Sequence, residues 1–107
     1  MNSTLILGKI VDILPETKDN SFHVRVLLEV KDEFRNQNGD FEFRIIPVYL
    51  WQGIGQSFLK YHLKGEYVIV KGRISSSNYT DSESGETYYK TYLIGEKVES
   101  LPMNTTQ

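Results

Sequence analysis

Residues 68–90 carry the side chains best suited to chemistry: VIVKGRISSSNYTDSESGETYYK. An apolar strand, Val68-Ile69-Val70, leads through Lys71-Gly72-Arg73-Ile74 into a polar loop of Ser, Asn, Asp and Gly. Tyr79 stands alone in that loop, and Tyr88-Tyr89 opens the next strand. A long hairpin with an aromatic on its arm and cations at its base suits an unpaired nucleic-acid strand. Flat rings stack on bases whatever their sequence, and cations follow the phosphates. Tyr88 and Tyr89 face opposite ways on a strand, so one is expected at the surface and the other in the core. Two further places offer the same chemistry. Phe34 sits in a charged stretch, Lys31-Asp32-Glu33-Phe34-Arg35, where an aromatic is seldom core. Phe41, Phe43, Ile45, Tyr49 and Trp51 share one parity in residues 41–51, with Ile46, Val48 and Leu50 on the other, core-facing side.

Other chemistries find little support. The chain has 107 residues and no cysteine, so it makes one domain without disulfides or thiolate metal sites. The two histidines, His23 and His62, are far apart with no ligand partner at a useful spacing, and both are expected at the surface. No carboxylate pair, metal-site pattern, Ser-His-Asp order or Gly-rich phosphate loop stands out, so no enzyme activity, cofactor or metal is expected. The formal net charge of −2 weighs against nucleic-acid binding. Charge segregated onto one face matters more than the sum. Arg35, Arg44, Lys71, Arg73 and Lys90 lie on or next to the proposed face, but Glu33 and Glu42 are close by, so modest affinity is expected. No apolar run approaches the ~18 residues of a membrane span. The start, MNSTLILGK, has no basic leader and enters a strand directly, so no signal or transit peptide is expected. The chain has no alanine and is rich in Lys, Asn, Ile, Tyr and Phe, the profile of an AT-rich genome.

Five strand-like segments must position these side chains. The first covers residues 5–13, with Gly8 marking a bulge or bend, and residues 15–21 form a turn. In the second, Phe22, Val24, Val26, Leu28 and Val30 alternate with polar residues, Leu27 excepted. Residues 35–40, with Asn38-Gly39, make a hairpin tip. The third strand spans 41–51. Residues 52–63 read as the single helix, with Ile54, Phe58, Tyr61 and Leu63 at helical spacing and Lys64-Gly65 closing it. Strand four covers 66–74 and strand five 88–98. A single domain over 1–101 is expected, with residues 102–107 as a frayed tail. The order β-β-β-α-β-β predicts an all-β fold: the OB-fold, a small five-stranded barrel whose strand 2–3 face and loops 1–2 and 4–5 bind oligonucleotides or sugars. Residues 15–21 and 75–86 would be those loops.

At this point the sequence resembles the bacterial and plastid single-stranded DNA-binding protein family. Asn2 and the strand Leu5-Ile6-Leu7-Gly8 match its opening. Val48-Tyr49-Leu50-Trp51 with Gly53 match the end of its third strand. Tyr61 and Lys64-Gly65 precede strand four as in the family, with His62 in a Leu place. Val68, Val70, Gly72 and Ile74 match its Val-x-Val-x-Gly-x-Leu pattern, and Tyr79-Thr80-Asp81 with Gly85 its fourth loop. The motifs run in order from Asn2 to Leu101, and the short plastid-type members are most similar.

The resemblance implies base stacking by Phe34, Trp51 and Tyr79. A fourth family aromatic is Ile45 here, with Phe43 and Tyr49 as further rings on that face. Arg35, Arg44, Lys71 and Arg73 would meet phosphates. The implied function is sequence-tolerant coating of single-stranded DNA in replication or repair, by a homotetramer or dimer assembled through strand contacts. The acidic tip that recruits partners in the family is absent from this sequence. With the AT-rich profile, the resemblance implies a plastid-encoded protein of the stroma, with the bacterial cytoplasm as the alternative. Two rivals remain open: a primosome-type or RNA-binding OB module, and an OB-fold protein–protein adaptor that has lost nucleic-acid binding. The serine-rich arm Ser75-Ser76-Ser77-Asn78 and Ile45 favour the adaptor.

Overall fold

A computed structural model describes residues 1–15 and 22–101. The predicted turn at 16–21 and the tail at 102–107 lie outside the described residues. The elements are β1 (Thr4–Pro15), β2 (Phe22–Arg35), β3 (Phe41–Trp51), α1 (Gln52–Tyr61), β4 (Tyr67–Thr80) and β5 (Thr87–Ser100). The strands close into a barrel in the order β1-β2-β3-β5-β4, and β4 returns to β1. Every pairing is antiparallel except β3 with β5, which meet in parallel at Tyr49 beside Ile94. This is the predicted OB-fold, with the one helix of the described residues between β3 and β4.

Strict alternation builds the core. Val24, Val26 and Leu28 of β2, Val48 and Leu50 of β3, Val68 and Val70 of β4 and Ile10 of β1 all point inward and are buried. Phe58 joins them from α1, with Ile54 one turn earlier on the same face. Each such side chain is worth roughly 1.5–3 kcal/mol on full burial. The helix is shorter than predicted. The His62 N–H closes it on the Phe58 carbonyl at 2.9 Å, and Tyr61 and Leu63 are exposed. Spacing alone could not reveal this, because only one turn of the helix faces the barrel. Gly65, at φ +93°, then turns the chain toward β4.

The connector is tied to β1. The Gly65 N–H donates to Ile10 O at 2.7 Å, and the Ile10 N–H to Glu66 O at 2.8 Å. Beside it, Lys64 Nζ lies 3.1 Å from the Asp12 carboxylate. That ammonium, and then the Ile13 backbone N–H, hold the Asp12 carboxyl below its usual range. Asp12 sits where the β1–β2 register shifts. The expected irregularity at Gly8 is therefore found a little later. Gly8 serves closeness instead: a Cβ there would lie 3.0 Å from Glu29 O. Asn2 extends the strand edge, its side-chain amide donating to Ile74 O and its carbonyl accepting from Ile74 N.

His62 is not the surface histidine predicted. Its side chain is only 12% exposed. It stacks on Phe58 at 4.9 Å and contacts Glu66 at 3.2 Å and Ser100 at 3.3 Å. The side chain of His23 lies outside the described set.

The largest correction concerns residues 75–86. Residues 75–80 continue β4 and pair with β5 through Ser75–Tyr92, Ser77–Lys90, Tyr79–Tyr88 and Thr80–Thr87. Only 81–86 form the turn, closed by Asp81 N–H to Glu86 O at 2.8 Å, with Gly85 at φ +75°. A Ser- and Asn-rich run reads as loop by composition. Here the Tyr- and Thr-rich β5 supplies the strand preference for both. The arm is polar because it projects beyond the barrel and both faces meet water. The other tip behaves as Asn-Gly turns do. Gly39 takes φ +83°, and Asn36 Oδ1 accepts from Asn38 N and Asp40 N at 2.9 and 3.0 Å.

Candidate nucleic-acid interface

The barrel's outer surface is built from the residues that alternate with its core. On β3 these are Phe43, Ile45, Tyr49 and Trp51. The parallel contact sets Tyr49 beside Ile94 of β5. Counting back by twos from Ile94 brings Tyr92, Lys90 and Tyr88 onto the same face, opposite Ser75, Ser77 and Tyr79 of β4. Arg73 pairs with Ile94 and closes the strip at the barrel end. Trp51, Tyr49 and Tyr92 pack around Ile94. At the far end Tyr79 and Tyr88 stack with centroids 6.4 Å apart and planes at 21°.

Trp51 and Tyr79 therefore share one surface, Trp51 partly buried and Tyr79 65% exposed. Trp51 is set by its position as the residue that ends β3 and caps α1. Phe34 is 82% exposed on the other arm, where β2 runs past the register shift between Lys31 and Arg35.

Three of the predicted residues stand differently. Tyr49 is only 7% exposed, with its ring edge-to-face against Tyr92 at 5.2 Å. It supports the surface from beneath and leaves little of its ring open to a base. Parity placed it outside the barrel correctly, but the β5 side chains cover it there. Arg44 has the parity of Ile46 and Val48, so it lies on the opposite face of β3 from Phe43. It is held by Asp32 at 3.2 Å and Glu42 at 3.1 Å. Phe43 is exposed but lines a different feature, a groove of about 950 Å³ bounded by Leu5, Leu7, Tyr67, Ile69 and Phe41.

The remaining cations differ in their commitments. Arg73 Nε lies 3.1 Å from Glu96. Arg35 and Lys31 sit over the Phe41 ring, at 4.9 and 4.1 Å from its centroid. Lys90 Nζ is 5.2 Å from the centre of Tyr92, whose hydroxyl is 3.0 Å from Ser77 Oγ. Lys71 is exposed on the outer face, and among the described residues no carboxylate pairs with it. Among the described residues no three His, Asp or Glu side chains converge as a metal site. No helix among them is long and apolar enough to cross a membrane.

Sequence reasoning missed that Tyr88 and Tyr89 are both exposed, at 51% and 75%, with neither in the core. A two-stranded arm has no interior, so alternation there divides two wet faces. Tyr92, also missed, follows from the same count by twos that places Tyr88.

A five-stranded OB barrel with rings along β3 and the β4–β5 arm defines an oligomer-binding class of architecture. Comparison with known proteins narrows the class. The model of the single-strand binding protein family matches residues 1–101, and the chain belongs to that family. Single-stranded DNA-binding protein 1 of Clostridium acetobutylicum is 30% identical over 106 residues, covering 94% of each chain. Single-stranded DNA-binding protein 1 of Lactococcus lactis is 27% identical over 109 residues, covering all of this chain and 72% of its own. Among solved structures, a Plasmodium falciparum SSB complex with ssDNA matches with a TM-score of 0.66 at 16% identity, covering 95% of this chain and 96% of the other. The small single-stranded DNA-binding protein of Streptomyces coelicolor gives 0.61 at 13% identity, covering 92% of each. The structural likenesses concern the fold.

Proposed function

We propose that this chain binds single-stranded DNA without marked sequence preference, coating unpaired strands in replication or repair. The observation that carries this reading is the shared outer face of Trp51 and the Tyr79–Tyr88 pair, inside a barrel of the single-strand binding family. Rings stack on bases, and Lys71, Lys90 and Arg73 follow the phosphates. The role is non-catalytic. Phe34 takes a further base on the β2–β3 arm, with Arg35 beside it.

The ion pairs set the strength of binding. A phosphate that approaches Arg73 meets the repulsion of Glu96 beside it, and one that approaches Arg44 meets that of Asp32 and Glu42. Glu96→Gln is therefore expected to tighten poly(dT) binding several-fold at low salt. Arg73→Ala is expected to weaken it and to lower the slope of log K against log salt by roughly 0.7 for the phosphate lost. Titration of both variants over a salt series checks this. Equal affinity and slope in wild type and variants would remove Arg73 from the site. The same carboxylates are the observation that favours the adaptor reading. Under that reading neither variant, nor the wild type, shifts a poly(dT) probe.

A second copy of the chain is the expected occupant of the apolar groove. Leu5 and Leu7, which line it, are 72% and 50% exposed, and Phe43, also in its lining, is 57% exposed. Exposed apolar side chains gathered along one groove suit a protein–protein contact. Sedimentation equilibrium is expected to report a dimer or tetramer, and Leu5→Glu with Leu7→Glu a smaller species. The two sequence relatives named above, from Clostridium acetobutylicum and Lactococcus lactis, are bacterial, which supports a bacterial cytoplasm. The alanine-free, AT-rich residue profile equally supports a plastid genome and the stroma.

A further inference from the structure

Tyr88 and Tyr89 are adjacent, identical and exposed, yet they meet different surroundings. Tyr89 pairs across the ladder with Asn78, on the face that alternates away from Trp51. Tyr88 lies opposite Tyr79 on the same face as Lys90 and Tyr92. Its ring is nearly parallel to that of Tyr79, with centroids 6.4 Å apart. Its hydroxyl donates to the Glu86 carboxylate at 3.0 Å, which holds the ring from its outer end.

This pairing matters because the arm is a two-stranded ribbon. Such a ribbon is marginal by itself, and a lone ring on it would lose its remaining freedom each time it stacked on a base. A second ring against the first removes much of that cost in advance, and the offset pair adds a favourable contact of its own. Tyr88 keeps 51% of its surface open, so one ring does not hide the other. The pair also lies on an arm whose β4 strand has no cation between residues 74 and 80.

We propose that Tyr88 is a further base-stacking residue, and that Tyr79 and Tyr88 act as one two-ring platform at the end of the arm. The proposal rests on the single-stranded DNA reading. It assigns Tyr88 to the DNA and leaves Tyr89 out.

The test is fluorescence anisotropy of a labelled dT oligomer with the full chain and its variants, each checked for folding by thermal melting. Tyr88→Ala is expected to weaken binding roughly 5- to 150-fold, the equivalent of one lost base–aromatic stack. Tyr89→Ala is expected to stay within about twofold of wild type, the range of surface substitutions away from a site. Tyr88→Phe keeps the ring and is expected to keep most of the affinity. The double variant of Tyr79 and Tyr88 is expected to lose less than the product of the two single losses, because each ring supports the other. Equal losses from Tyr88→Ala and Tyr89→Ala would overturn the proposal. So would an unchanged Tyr88→Ala in a chain weakened by Tyr79→Ala, with the DNA reading left standing. A wild-type chain that does not bind the oligomer overturns the DNA reading and the platform together.

Discussion

Gly72→Ala is expected to destabilise the barrel more than any other change of one methyl group. An added Cβ at 72 would lie 1.9 Å from the Ile94 carbonyl oxygen and 2.9 Å from its carbon. Both are backbone, so no side chain can rotate away. The position sits at the register shift between Lys71 and Gly72, where β4 leaves the barrel wall and becomes the arm. The loss is expected to exceed the roughly 1–3 kcal/mol of ordinary overpacking. At roughly 4–8 °C per kcal/mol for a domain near this size, the melting temperature should fall by more than about 12 °C. Gly53→Ala is the control. It lies in α1 with nothing within 4 Å of the added Cβ, and is expected to raise stability by roughly 0.5–1 kcal/mol. Melting curves of both variants check the pair of signs.

Removing Trp51 and Tyr79 together is expected to be the largest single blow to binding. The two rings stand at different places on one face, Trp51 at the end of β3 and Tyr79 on the arm. Under the proposed function they take different bases and should act independently. Each lost stack costs roughly 1–3 kcal/mol, so the double alanine variant should lose roughly 2–6 kcal/mol toward poly(dT). Phe34→Ala, on the other arm, is expected to lose a single stack. Arg44→Ala is expected to lose little, since Arg44 lies on the opposite face and already serves Asp32 and Glu42. The ranking among the three variants, read from one titration series, separates the ring account from one based on charge alone.

Much of this was legible in the residues. The bounds of β3, the start of α1 and the inward sets of β2 and β4 follow from alternation and from the aliphatic runs. Asn2 was marked by resemblance, and its two hydrogen bonds to Ile74 give the physical reason. What stayed hidden depends on partners distant in sequence. The arm over 75–80 needed β5 to make it a strand. Tyr49 had the parity of a surface ring, but Tyr92, on another strand, covers it. Arg73 and Glu96 are 23 residues apart, so nothing local announces their pairing. His62 looked solitary until the helix end brought Phe58 and Glu66 to it. Parity tells which wall of the barrel a side chain leaves from. It does not tell what waits there.

The measurement that bears most directly on single-stranded DNA binding is the fluorescence of Trp51 titrated with poly(dT). The chain has one tryptophan, so the signal reports on this ring alone. The expected result is quenching that saturates at low salt and weakens as salt rises, with a matching gel shift. Unchanged fluorescence at low salt, together with no gel shift, would contradict the account and leave the barrel as a protein–protein adaptor.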